Sequence, residues 1–157
     1  MGKPNKNEQE DEKLIEEDTI KLLRECDAGV RMGVASLEEV IPYTESERLR
    51  EKLRECKEKH ETLAKDVAEA LARFGDDGKA PNPIAKGMSW MKTSVKMAWH
   101  KSDHTIADLM TDGCDMGVKS LSRYLNEYAA ADEDSKDIAK RLIKLEADLA
   151  VDLREHL

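Results

Sequence analysis

A histidine stands on an apolar stripe of this chain, where a soluble helical protein ordinarily keeps hydrocarbon, and two aspartates stand beside such stripes. Asp27 and Asp115 lie in a hexapeptide that occurs twice, Cys26-Asp27-Ala28-Gly29-Val30-Arg31 and Cys114-Asp115-Met116-Gly117-Val118-Lys119, at an offset of 88 residues. His60 belongs to the stripe Leu53, Cys56, His60, Leu63, Val67. Carboxylates and an imidazole brought inward together can ligate a metal ion. Without one they need hydrogen-bond donors and a counter-charge, because a buried charge without a partner is strongly unfavourable. Lys57, three residues before His60, is a candidate counter-charge. A second group, His100-x-x-x-His104-x-x-x-Asp108, has the spacing of one helical face and donors that zinc accepts. Ser102-Asp103 reads as a helix start that breaks that face. The chain has no Ser-His-Asp order, glycine-rich phosphate loop or nucleophile elbow.

The elements that must position these residues follow from periodicity. Thr19, Leu23, Cys26, Val30, Gly33, Leu37 and Ile41 alternate steps of three and four, which predicts a first long helix starting between Glu12 and Asp18 and ending before Pro42. Thr44 with Glu47 reads as a capping box for a second helix that stops at Gly75. The short link makes these two helices antiparallel neighbours. Residues 76–102 form a crossover. Its basic amphipathic part carries Ile84, Met88, Met91, Val95 and Trp99 on one face, with Trp90 and Met97 off it, and predicts a shorter helix. Ile106, Met110, Cys114, Val118, Leu121 and Leu125 mark the third long helix, and Ile138, Leu142, Leu145, Leu149 and Leu153 the fourth. The organisation expected is a polar tail over 1–14, a hairpin over 15–75, the crossover, and a related hairpin over 103–157. Matched Asp and Gly in the repeat suggest that Asp27 and Asp115 sit at equal depth in the two hairpins.

Composition narrows the function classes. Apolar residues make up 39% and charged residues 38%, with few aromatics, as expected for a soluble amphipathic all-α protein. A net charge of −8 argues against nucleic acid as a partner, since phosphate binding uses a clustered positive surface. Three cysteines without a Cys-x-x-Cys pattern predict no disulfide framework and a reducing, cytoplasmic setting. The N-terminal residues lack the apolar core of a secretory signal, and no run has the length of a membrane span. Trp90 and Met97 make self-association through the crossover, as a homodimer or larger, the expected partnership.

Bundles with two hairpins and a long crossover include di-iron proteins, which take one Glu from each of two helices and Glu-x-x-His from each of the other two. Placed on this chain, that template selects Asp27 and Asp115 as the single acids, Lys57-x-x-His60 as one pair and Glu146-x-x-Leu149 as the other. The chain resembles the small bacterial ferritin-like four-helix proteins of unknown function, distant relatives of rubrerythrins and ferritins. The resemblance spans roughly residues 15–157 and is most particular at Ile84-Ala85-Lys86-Gly87-Met88-Ser89-Trp90-Met91-Lys92. It implies a ferritin-like bundle and no established reaction. Lys57 and Leu149 occupy positions where a di-iron centre needs Glu and His. The expectation is therefore a non-catalytic bundle with a degenerate metal site and no cofactor. The alternative is an iron- or manganese-binding protein, an oxidoreductase or an iron-handling protein, that uses Asp27, His60, Asp115 and Glu146.

Overall fold

A computed structural model describes residues 2–76 and 102–157. Four long helices make up nearly all of it: α1 (Lys6–Val40), α2 (Glu47–Ala72), α3 (Asp103–Glu127) and α4 (Glu133–Leu153). Among the described residues there is no strand, and no helix is long and apolar enough to cross a membrane. The crossover, with Trp90, Met97 and His100, lies outside the described residues.

α1 packs on α2 and α3 packs on α4, as the short links require. The pairs then meet through α2 with α4, α1 with α3, and α1 with α4. The apolar stripes fill two connected layers. Leu22, Leu23, Val30, Val67, Leu71 and Leu142 centre one, and Leu37, Leu49, Leu53, Ile106 and Leu153 centre the other. All three cysteines are buried and free, acting as small apolar residues.

Several boundaries differ from the sequence expectation. α1 begins at Lys6, well before Glu12, because Asn5 starts it and the Glu8 carboxylate accepts the Asn5 N–H at 2.9 Å. Residues 6–17 are all exposed, so this first stretch of α1 has only local stabilisation. The cap of α2 is Ser46, whose hydroxyl accepts from the Leu49 N–H. Thr44 is buried and its hydroxyl donates to the Val40 carbonyl instead. Gly75 ends the second helix as expected, at φ 67, where the Asp76 N–H returns to the Leu71 carbonyl.

The two turns are each held from the opposite hairpin. Asp103, at the start of α3, accepts the backbone N–H groups of Glu45 and Ser46, both at 2.8 Å. Asp18 and Thr19, early in α1, accept the N–H groups of Ala130 and Asp132 at 3.0 and 2.8 Å. Each turn satisfies part of its own backbone, through Thr44 N–H to Ile41 O and Ala131 N–H to Tyr128 O, and leaves the rest to the other hairpin. Hydrogen bonds to a charged acceptor contribute about 1.5–3 kcal/mol each, less where water competes. Asp103→Ala, which also unties α3 from α2, is expected to lower unfolding free energy by about 2 kcal/mol in urea titration. A change below about 0.5 kcal/mol, the scale of an ordinary surface substitution, would show that the turn stands without the clamp.

Candidate functional site

The sequence candidates do not converge as a set of four. His60 on α2 and Glu146 on α4 are 2% and 7% exposed and face each other inside the bundle, with His60 Nε2 3.9 Å from Glu146 Oε1. That separation is a charge contact, too long for a direct hydrogen bond. Asp27 is buried too, but its carboxylate is engaged by Arg31, one turn further along α1, with Nε 3.1 Å from either oxygen. Asp115 is exposed on α3, so the two aspartates of the repeated hexapeptide lie at different depths.

Burial shows why. Leu22, Leu23, Cys26, Val30 and Leu37 of α1 have the spacing of Ile106, Ala107, Met110, Cys114 and Leu121 of α3, an offset of 84 residues. Leu49, Leu53, Cys56, His60, Leu63 and Val67 of α2 likewise match Ser135, Ala139, Leu142, Glu146, Leu149 and Leu153 of α4, at 86. In that register His60 corresponds to Glu146, and Asp115 falls opposite the exposed Arg31. The hexapeptide similarity is one helical turn out of step with the packing. Lys57 also departs from expectation. Its ammonium lies 3.5 Å from both Glu38 and Glu61 at the edge of α2, and it does not reach the interior carboxylates. His104 and Asp108 are exposed.

Two glycines make room for the buried pair. A Cβ on Gly33 of α1 would stand 2.7 Å from His60 Nε2, and one on Gly117 of α3 would overlap Glu146 Oε2. Each polar side chain is thus seated against bare backbone of the helix opposite. Sequence reasoning noted Gly117 only within the repeated hexapeptide and missed which residue it admits. The available signal was Gly29-x-x-x-Gly33 repeated as Gly113-x-x-x-Gly117.

The ring of His60 is oriented from its own helix. Nδ1 lies 2.8 Å from the Cys56 carbonyl oxygen, which only accepts, so Nδ1 carries a hydrogen. Nε2 is turned inward, and both it and Glu146 Oε2 are buried without a hydrogen-bond partner. They border a cavity of about 40 Å³ whose wall includes Met32, Met110, Cys114 and Met116. A single water needs roughly 10–15 Å³ measured in this way, so the cavity admits small species only.

Burial opposes charge on His60, but hydrogen bonding to Cys56 and the negative charge of the nearby Glu146 carboxylate outweigh it and hold its pKa at about 10. Burial pushes the Glu146 carboxyl up against the opposing pull of His60. Both shifts favour protonated forms, so the pair keeps one proton well above neutral pH, whichever group carries it. Burial foremost, with Glu146 and Cys56 beside it, also raises the Cys114 thiol.

A di-iron donor set is not assembled here. His60 and Glu146 meet, while Asp27 is tied to Arg31, Asp115 faces outward, and positions 57 and 149 hold Lys and Leu. Among the described residues no three His, Cys, Asp or Glu side chains form a group able to hold a metal ion. Comparison with protein-family models, with curated proteins and with solved structures gave no match.

Two measurements check this geometry. Gly117→Ala is expected to destabilise by about 1–3 kcal/mol through overpacking. Gly113→Ala, where a Cβ meets nothing within 4 Å, should stabilise by about 1 kcal/mol from helix propensity alone. Equal effects would place Glu146 elsewhere. The second concerns pH. Unfolded, Glu146 and His60 titrate near 4.5 and 6.5, so above pH 6.5 the unfolded chain has released a proton that the folded pair retains. Stability is therefore fully present below pH 6.5. It should fall as pH rises toward about 10, by about 1.4 kcal/mol per pH unit for the one proton. Glu146→Gln removes one of the two groups that support the charge, and the decline over that window should become shallower. An unchanged slope would assign the proton to another group.

Proposed function

We propose that the protein is a non-catalytic, cytosolic, ferritin-like bundle that acts by binding and association, and that its His60–Glu146 pair is the remnant of a bundle-core metal centre. The observation that carries this is the convergence of one imidazole and one carboxylate on a small cavity, while the other positions of the di-iron template hold an engaged Asp, an exposed Asp, a Lys and a Leu. Nothing in the pair's surroundings resembles an activated nucleophile. His60 Nδ1 is committed to the backbone, and its Nε2 faces a carboxylate. The equal burial spacing of the two helix pairs supports descent of both from one duplicated hairpin. Association of two or more copies through Trp90 and Met97 belongs to the same reading.

The second reading, an iron- or manganese-handling oxidoreductase, is favoured by the approach of His60 Nε2 to Glu146 Oε1 within the core. Metal analysis decides between them. Protein produced with added iron and manganese and purified without chelator is expected to carry neither in stoichiometric amount, and ferrous ion should leave its melting temperature unchanged. Near-stoichiometric iron or manganese lost in Glu146→Gln would establish the second reading and end the first.

A further inference from the structure

We propose that the cavity beside His60 is a binding site for a copper(I) ion, held by His60 Nε2 and the thioethers of the surrounding methionines. This rests on the reading of the bundle as a binding protein, though not on any history of its core. The methionine distribution points there first. Met32, Met110 and Met116 are all the methionines among the described residues, they come from two different helices, and every one of them lines this cavity, with Cys114 between the last two. Methionine commonly serves as an adaptable core filler. Met116 does not fit that role, being 43% exposed at the edge of the cavity, where it gives an entering ion a donor partly in solvent.

The histidine is arranged as a ligand. Its Nδ1–H is donated to the Cys56 carbonyl at 2.8 Å, which leaves Nε2 as the ring's ligand atom, directed inward, buried without a hydrogen-bond partner and open to an ion that displaces the pair's proton. A ring N–H given to a backbone carbonyl is the usual outer-shell support of a metal-bound imidazole.

Donor chemistry then selects the ion. Thioethers are soft and neutral, poor partners for iron(II), manganese(II) or zinc(II) and good ones for copper(I). The cavity wall holds a single carboxylate, Glu146, which balances one positive charge and leaves a divalent ion undercompensated in a low-dielectric core. The cavity of about 40 Å³ has room for an ion and little else.

The test is anaerobic titration of the intact protein with copper(I) against a chromogenic copper(I) chelator, with silver(I) as a redox-inert substitute. The expected result is withdrawal of one equivalent of copper(I), with X-ray absorption showing sulfur and imidazole nitrogen around it. Met32→Leu and Met116→Leu nearly conserve volume, and Met116 is half out of the core, so both variants should keep the wild-type melting temperature. Together they should weaken binding by at least the roughly 10–100-fold that loss of an outer-shell partner costs. His60→Gln should weaken it further, while Cys26→Ala, in the other layer of the core, should not. No uptake at one equivalent, or uptake unchanged in the double methionine variant, would overturn the proposal. Neither outcome bears on the iron and manganese analysis, so the two readings fail separately.

Discussion

A long polar side chain can enter the interior of a helical bundle only where the helix opposite gives up volume. Here that happens twice, at Gly33 for His60 and at Gly117 for Glu146. Each glycine costs helix stability of about 1 kcal/mol relative to alanine. The space so made is filled by a polar group, which itself must be compensated by the other. The four residues are thus one unit. Removing either glycine's notch displaces a charged group, and removing either polar partner leaves the other buried alone.

Much of the fold was legible in the sequence because it depends on features that period and punctuation report directly. The apolar stripes located four long helices. Pro42 ended the first, Gly75 the second, and Ser102 opened the third. The early start of α1 was not legible, since residues 6–17 bury nothing and carry no stripe, and only a local cap marks them. The clamps by Asp18, Thr19 and Asp103 were invisible for a different reason. A side chain that serves a backbone more than fifty residues away leaves no local pattern.

The site was legible in part. His60 and Glu146 were singled out and do meet, but Asp27 and Asp115 were drawn together by a hexapeptide whose register differs from that of the packing by one turn. Sequence identity between helices rewards matching letters, whereas packing rewards matching faces. Lys57 was assigned to the interior from its spacing to His60. One residue past Cys56 on a helix of 3.6 residues per turn, it rotates about 100° from the buried line and meets Glu38 and Glu61 instead. Of the three methionines only Met110 was read as a stripe residue, and nothing in their individual positions announced that they share one cavity.

The reciprocal clamping of the turns has a consequence for how the chain comes apart. Asp103 of the second hairpin closes the turn of the first, and Asp18 and Thr19 of the first close the turn of the second. A hairpin that peels away leaves bare N–H groups on both halves at once. The amides of Glu45, Ser46, Ala130 and Asp132 are therefore satisfied only while the two hairpins stay together, although they lie in loops. The order of these loops is tied to the contact between hairpins more than to the turns themselves.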